Sequence, residues 1–218
     1  MSIKFTASVV CMDSINLERE ILLLIENGIT NLHIDVMDGE FVPRLGMYPE
    51  QVRHIKNRFP NINIDTHLLI KNPERYIDVF KDSDMIIVHQ ESTYDLYSSI
   101  QKIKNNACKV GVGLNISTSI DTIKDIINDI DLVMLMGFSP GILNQPLYVG
   151  LYKKIEYIRK LYPDLDIMID GGVKMDTIVP LIESGATYLV CGSSTIYKKE
   201  DSVENNISYI KSMVKSYV

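Results

Sequence analysis

The strongest chemical signal in the chain is a set of polar residues on or directly after short runs of β-branched and aliphatic residues. The set consists of Ser8, His33, Asp35, His67 and Asp170. Such runs are typical of buried strands, where a polar side chain is costly unless it is paired, bound to a metal or catalytic. His33 and Asp35 stand two residues apart, so both side chains point to one face of a strand.

Two imidazoles and two carboxylates suit a divalent cation, and Zn²⁺, Mn²⁺, Fe²⁺ and Co²⁺ all remain open. A single strand histidine is more often a hydrogen-bonded core residue. Four such ligands, His33, Asp35, His67 and Asp170, lie at the ends of three strands, and this shared placement favours a metal site.

Eight apolar runs, separated by segments with helical periodicity, position these residues. The expected strands are Lys4–Val10, Asn31–Asp35, Asn63–His67, Met85–His89, Lys109–Asn115, Leu132–Met136, Asp166–Asp170 and Tyr188–Gly192. The expected helices are Leu17–Asn27, Pro49–Phe59, Pro73–Phe80, Asp121–Asn128, Tyr148–Leu161, Asp176–Ser184 and Ser202–Tyr217. This alternation predicts an α/β fold, a (β/α)8 TIM barrel, with one domain over residues 1–218. An open doubly wound sheet is the alternative, but no G-x-G-x-x-G follows the first strand.

A barrel carries its active site at the carboxyl ends of the strands, where the unusual polar residues fall. Asp35 and Asp170, on the second and seventh strands, would face each other across this mouth. A substrate between them would lose a proton to one carboxylate and regain one from the other. A metal would stabilise the enediolate between these two steps. The implied chemistry is inversion of a carbon next to a carbonyl.

Two glycine-containing loops predict a phosphate site. Gly171 and Gly172 follow the seventh strand, and Gly192, Ser193 and Ser194 follow the eighth. Glycines let backbone N–H groups approach a phosphate closely, and these loops form the recurring phosphate site of TIM barrels. The loop 139–146, with Gly141 and Asn144, is either a lid or a plain turn.

The remaining histidines and the methionines near the mouth have simpler interpretations. His54 lies on a charged helical segment and is expected on the surface. His89 ends the fourth strand and is either a structural neighbour of the site or a substrate contact. Met37 and Met136 would supply an apolar wall beside the carboxylates. No lysine ends a strand at the mouth, which disfavours a Schiff-base aldolase.

Composition predicts a cytoplasmic globular protein. Of the 218 residues, 46% are hydrophobic and 23% charged, and the net charge of −6 disfavours a nucleic-acid partner. No apolar run approaches the roughly 18 residues of a membrane span, and the start lacks the pattern of a secretory signal. Cys11, Cys108 and Cys191 are expected as reduced packing residues.

Over essentially its full length the chain resembles the ribulose-phosphate 3-epimerase family. The stretches that carry the resemblance are Ser8-Val9-Val10, His33-Ile34-Asp35-Val36-Met37-Asp38-Gly39, Phe41-Val42-Pro43, Asp65-Thr66-His67-Leu68, Met136, Pro140-Gly141, Gln145, Asp170-Gly171-Gly172 and Gly192-Ser193. The resemblance implies a ribulose-phosphate-binding barrel, a phosphorylated ketose as partner, and a homo-oligomer.

The resemblance also implies roles for single residues. His33, Asp35, His67 and Asp170 would bind the metal, with Asp35 and Asp170 as the acid–base pair. Ser8, Met37, His67 and Met136 would line the substrate site. The substrate would be D-ribulose 5-phosphate and D-xylulose 5-phosphate, or D-allulose 6-phosphate and D-fructose 6-phosphate. The start of the chain and the Gln145-Pro146 pair are more similar to the allulose-6-phosphate branch.

The chain departs from the family pattern at two places. Arg44 follows Val42-Pro43, where asparagine is usual, and Leu143 and Asn144 replace two glycines of the lid. These changes keep open a sugar-phosphate-binding barrel that is non-catalytic or has altered specificity. A decarboxylase or hexulose-phosphate synthase is disfavoured because the stretch 33–38 lacks the lysine of their Asp-x-Lys-x-x-Asp motif.

Overall fold

Eight parallel strands close into a barrel in the order of the chain. The computed structural model describes residues 3–142 and 145–217. The strands are β1 (Lys4–Ser8), β2 (Asn31–Met37), β3 (Asn63–Leu69), β4 (Met85–His89), β5 (Lys109–Leu114), β6 (Leu132–Met136), β7 (Asp166–Asp170) and β8 (Tyr188–Cys191). Each strand pairs with the next, and β1 pairs with β8. The predicted (β/α)8 TIM barrel is therefore confirmed.

In the part of the chain that the structure describes, six α-helices surround the barrel. They are α1 (Leu17–Glu26), α2 (Pro49–Arg58), α3 (Leu96–Asn105), α4 (Leu151–Leu161), α5 (Ile178–Glu183) and α6 (Val203–Met213). Their buried faces recur with the spacing of an amphipathic helix, as with Val52 and Ile55 in α2. Within the described residues, no helix is both long and apolar enough to cross a membrane.

The two faces of the strands form the two larger of three apolar clusters in the described residues. Side chains alternate along β2, so that Leu32, Ile34 and Val36 join the core shared with the helices. The interior of the barrel is filled mainly by residues of the later strands. These are Met85, Ile87, Leu132, Met134, Met136, Met168, Tyr188 and Val190. The barrel interior is therefore filled with apolar side chains, and the polar residues lie above them at the mouth.

Several strand ends differ from the predicted bounds. β1 stops at Ser8, because a 3₁₀ turn over Val9–Cys11 follows it directly. β2 and β3 each run two residues further than expected, to Met37 and Leu69. These two strands stay paired in register over seven positions, and this pairing sustains the extra length.

The helical segments differ from the sequence prediction at three places. The expected helix 73–80 is two short 3₁₀ turns, Pro73–Arg75 and Ile77–Phe80. The segment Ile120–Asp129 is also 3₁₀. Over so few residues an apolar repeat of three cannot be told from one of 3.6, so periodicity alone does not distinguish the two helix types. The helix α3 was not predicted.

Candidate metal centre and substrate cavity

The register of the strands brings the polar residues to the carboxyl end of the barrel. The paired positions are Ser8 with His33, His33 with Asp65, Asp35 with His67, and Met136 with Asp170. Because side chains two apart on a strand share a face, the interior-facing members of these pairs converge on one point at the mouth.

Four donor atoms from three strands meet at this point. The Nε2 atom of His33 and the Nδ1 atom of His67 each lie 3.1 Å from Oδ1 of Asp35. The same two nitrogens lie 3.8 and 3.4 Å from Oδ2 of Asp170. All four donors lie within 4.8 Å of one another.

These separations fit a single metal ion. Ligands about 2.1 Å from a common ion stand roughly 3.0–3.4 Å apart when adjacent and about 4.2 Å apart when opposite. The observed spacing thus needs only small adjustments, and two nitrogens with two oxygens suit Zn²⁺, Mn²⁺, Fe²⁺ or Co²⁺.

The electrostatics of the cluster also call for a cation. Both histidines are fully buried, and the side chains of Asp35 and Asp170 are only 11% and 14% exposed. Burial by itself raises the pKa of Asp35, but the charges and hydrogen bonds of the two imidazoles outweigh it and hold that pKa far below its usual range. Burial lowers the pKa of His33, but the neighbouring carboxylates outweigh it and raise the pKa well above its ordinary value. Positive charge is therefore strongly favoured between the two carboxylates.

The ring nitrogen of His33 that faces away from the cluster has a carboxylate partner. Nδ1 of His33 bonds to Asp65, whose other oxygen accepts the hydroxyl of Thr6 at 2.8 Å. Metal-binding histidines usually have such a partner, which fixes the ring orientation. Sequence reasoning gave Asp65 no role, although it stands two residues before His67 on the same strand face.

The corresponding nitrogen of His67 meets a third histidine. Nε2 of His67 lies 2.8 Å from Nε2 of His89, and Nδ1 of His89 lies 3.0 Å from a carboxylate oxygen of Glu91. Of the two interpretations of His89, the structure supports a structural neighbour of the site, since its ring is fully buried. Glu91 was not singled out in the sequence, and His54 lies on the surface as predicted.

A cavity of about 270 Å³ opens above the cluster. Eleven of the predicted site residues line it: Ser8, Asp35, Met37, Met136, Gly141, Asp170, Gly171, Gly172, Gly192, Ser193 and Ser194. His33 and His67 are buried beside Asp35 and do not line the cavity. Asn144, also predicted to contact substrate, lies outside the described residues, as does Leu143.

The loop after β7 places backbone groups at one side of the cavity. Gly171 and Gly172 have φ angles of +87° and +74°, which strain any residue with a side chain. A Cβ atom at Gly172 would also lie 2.7 Å from a methyl group of Leu147. On the other side, the amide of Gln145 donates to the carbonyls of Ser139 and Ile142, which links the described parts of the loop after β6.

Arg44, Lys174 and Cys11 also line the cavity, although none of them was predicted there. Arg44 and Lys174 place two cations on its wall. Neither side chain makes an ion pair or hydrogen bond with any part of the chain that the structure describes. Cys11, expected only as a packing residue, is half-buried and also lines the cavity, and burial raises its pKa. All three cysteines are free thiols.

The fold and the site define a TIM-barrel enzyme. Residues 4–197 match the model of the Ribulose-phosphate 3 epimerase family. The chain belongs to that family and is therefore an isomerase, an epimerase acting on carbohydrates.

Curated relatives match the chain over most of its length. It is 36% identical over 206 residues to a ribulose-phosphate 3-epimerase of Bacillus subtilis, covering 91% of this chain and 94% of that one. It is 31% identical over 215 residues to that of Schizosaccharomyces pombe, covering 97% and 93%.

Solved structures show a similar fold at low sequence identity. One is a structure of KGPDC from Streptococcus mutans, with a TM-score of 0.76, 11% identity and coverage of 98% of both chains. Another is 3-hexulose-6-phosphate synthase from Salmonella typhimurium, with a TM-score of 0.71, 14% identity, and coverage of 99% of this chain and 100% of that one. These similarities concern the barrel fold alone.

Proposed function

We propose that this chain is a metal-dependent ketose-phosphate 3-epimerase that uses two carboxylates as acid and base. The observation that carries the proposal is the meeting of Asp35, from β2, and Asp170, from β7, at one pair of imidazoles on the floor of the cavity. A substrate carbon held above that floor has a carboxylate on each side.

The proposed reaction is a pair of proton transfers at C3. One carboxylate accepts the C3 proton, and the electron pair of the broken C–H bond moves towards the C2 carbonyl to give an enediolate. The other residue, protonated beforehand, gives its proton to the opposite face of C3, which inverts that centre. Against the effect of burial, the imidazoles of His33 and His67 lower the pKa of Asp35, so Asp35 is the ionised member of the pair. When bound, a divalent cation supplies the positive charge that stabilises the enediolate.

The remaining wall of the cavity supports a phosphorylated substrate. The glycine loops after β7 and β8 present backbone N–H groups and the hydroxyls of Ser193 and Ser194. Arg44 and Lys174 add two cations to a chain whose net charge is −6. Met37 and Met136 cover the reacting end, where an apolar surface limits competing protonation by water.

The names of the relatives favour a pentulose substrate, D-ribulose 5-phosphate, over the hexulose D-allulose 6-phosphate. A side-by-side assay of both sugars on protein reconstituted with each of the four metals tests this choice. We expect the ratio of kcat/KM values to favour the pentulose; a ratio that favours the hexulose would assign the chain to the other substrate.

Isotope exchange tests the chemistry itself. Substrate incubated with metal-loaded protein in deuterated water should gain deuterium at C3, because the acid that returns the proton exchanges with solvent. Binding of the sugar phosphate without C3 exchange would instead establish a non-catalytic binding barrel.

The location in the cytoplasm, the homo-oligomer and the extent of the single domain remain predictions.

A further inference from the structure

A chain of hydrogen bonds runs from Glu91 through His89 to His67 on the outer side of the cluster. One oxygen of Glu91 lies 3.0 Å from Nδ1 of His89, and Nε2 of His89 lies 2.8 Å from Nε2 of His67. The two imidazole rings are stacked, with centroids 5.0 Å apart and planes 24° apart. The catalytic proton transfers proposed above do not use Glu91 or His89.

The donors and acceptors along this chain can be assigned from chemistry alone. An ionised carboxylate only accepts, so Nδ1 of His89 carries the hydrogen. A neutral imidazole has one N–H, which leaves Nε2 of His89 as an acceptor. The nitrogen it faces, Nε2 of His67, must then donate. Nε2 of His67 therefore carries a hydrogen, and Nδ1 keeps its lone pair only where a cation replaces the proton that it otherwise donates to Asp35 at 3.1 Å.

We propose that Glu91 and His89 are positioning residues that fix the tautomer and ring orientation of His67, so that its Nδ1 lone pair faces the metal. The proposal rests on the metal site of the proposed function. The arrangement at His67 differs from that at His33, whose imidazole bonds directly to the carboxylate of Asp65. At His67, the imidazole of His89 stands between the carboxylate of Glu91 and the metal-binding histidine.

The far end of the chain is anchored by the loop after β5. The other oxygen of Glu91 accepts the N–H of Asn115 at 2.8 Å and the hydroxyl of Thr118. Lys154, on α4, donates to the carbonyls of the same two residues at 2.9 and 2.6 Å. Glu91 is therefore held by three bonds, and its carboxylate cannot turn away from His89 without breaking them.

The ring of His89 is held in place by packing as well. In the pairing of β4 with β5, His89 lies opposite Gly113. A Cβ atom at Gly113 would lie 2.9 Å from Nε2 of His89. The ring of Phe41 also lies close, with its centroid 5.3 Å from that of His89. Glycine at position 113 thus leaves the room that the His89–His67 bond requires.

Nitrogen NMR of the wild-type protein loaded with Zn²⁺ tests the assignment without substrate. The chain has four histidines, and exposed His54 serves as the reference for an imidazole free to exchange tautomers. At a pH where the imidazoles are neutral, His67 should show N–H at Nε2 and His89 should show N–H at Nδ1. The opposite tautomer at either residue would overturn the proposal.

Metal affinity of Glu91→Gln tests the consequence. The amide can present an N–H to His89, which favours the reverse order of hydrogens and places one on Nδ1 of His67. We expect metal affinity, measured by competition with a chelating dye, to fall by about 10–100-fold, as for other partners of metal-binding histidines. The matched control is Glu74→Gln, since Glu74 is a half-buried glutamate that accepts a threonine hydroxyl but touches no histidine. Unchanged affinity in Glu91→Gln would refute the positioning role.

A pair of glycine variants guards against misfolding of Glu91→Gln. Gly111 and Gly113 both lie on β5. Gly113→Ala places a methyl group against His89, whereas Gly111→Ala places one 2.6 Å from Ile87. Both strain the barrel interior, but only Gly113→Ala should change the His67 nitrogen signals and weaken metal binding. Equal losses of metal affinity in the two variants would show that the loss comes from altered packing of the barrel and not from the contact with His89. Failure of the wild type to bind any metal would sink the proposed function, whereas the opposite tautomer in the metal-loaded protein would overturn only the positioning role.

Discussion

At the scale of single residues, Asp35 and Asp170 share the cluster but differ in their surroundings. Asp35 accepts from Ser8 at 3.5 Å and lies 3.1 Å from both imidazoles. Asp170 stands farther from both histidines and is more exposed. Asp170 is therefore the less constrained of the two acids.

Replacing Asp170 by asparagine should separate chemistry from binding. The amide cannot accept or return a proton, so we expect kcat to fall by at least the roughly 10²–10⁴-fold that a positioned acid or base typically contributes. Inorganic phosphate should still bind with near-normal affinity, because the glycine loops are untouched. Retention of near-normal turnover would contradict the two-acid assignment.

Arg44 gives a second prediction at this scale. It lines the cavity at a position where members of the family usually have asparagine. With no partner among residues 3–142 and 145–217, its guanidinium is available to an anionic substrate. Arg44→Gln should raise KM several-fold and leave kcat within about a factor of two. Arg53→Gln, on the exposed side of α2, is the control and should change neither. A normal KM in Arg44→Gln would remove Arg44 from substrate binding.

How far single residues can be predicted depends on whether their partners lie on the same strand. His33 and Asp35 are found because two-residue spacing alone puts them on one face. The same rule would have found Asp65 beside His67 had it been applied there, whereas Glu91 lies in the turn after β4, where the rule does not apply. The contact between His67 and His89 is different in kind, since it depends on neighbouring strands and their rotamers, which the sequence does not contain.

At the scale of elements, the loop after β6 packs directly against the end of β7. The N–H of Gly137 donates to the carbonyl of Asp170 at 2.7 Å, and a Cβ atom at Gly137 would lie 1.9 Å from the carbonyl oxygen of Gly171. The close approach of the two backbones therefore requires glycine at 137.

Gly137→Ala should displace Asp170 together with the phosphate loop. We expect about 1–3 kcal/mol of destabilisation, typical of overpacking, and a loss of kcat/KM larger than that of the control. Gly150→Ala is that control, because its methyl group meets only the ring of exposed Tyr148, which can rotate away. Thermal midpoints and kcat/KM measure both effects. Similar activity in the two variants would show that the β6–β7 contact does not position Asp170.

The loops after β4 and β5 give a prediction on pH. Burial raises the pKa of Glu91, but bonds to His89, Thr118 and Asn115 outweigh it, and the pKa is lowered from 4.5 to about 2. A lowered carboxyl pKa contributes stability above pH 4.5 that is lost as pH falls towards 2. In that window the free energy of unfolding of the wild type should fall more steeply than that of Glu91→Gln. Parallel curves would show that Glu91 is not preferentially ionised in the folded state.

The elements that sequence patterns predicted best are those with a single dominant periodicity. All eight strands were found because each buries a run of apolar residues. The helix α3 was missed because its buried side holds only Ser99, Ile100 and Ile103. Its start was nevertheless encoded, since Asp95 accepts the N–H of Ser98 as a helix cap.

At the scale of the whole molecule, the metal centre lies outside the two larger apolar clusters and outside the small cluster of Met37, Val42 and Leu69. None of His33, Asp35, His67 and Asp170 belongs to any of these clusters, and the barrel is closed by backbone pairing on every side. Without a cation the raised pKa values of both histidines let protons supply part of the missing positive charge. The fold should therefore not depend on the metal.

Removal of metal by a chelator should leave the barrel folded but less stable. A ligand that binds only the folded state adds about 2.7 kcal/mol at a free concentration one hundred times its Kd. We therefore expect the thermal midpoint to rise with the concentration of the preferred cation and to fall on chelation, with circular dichroism at room temperature unchanged. Asp170→Asn should show a smaller rise, because one of the four donors has lost its charge, whereas Arg53→Gln should match the wild type. Unfolding on chelation would make the metal a structural requirement, and a midpoint insensitive to all four cations would contradict a metal site at this mouth.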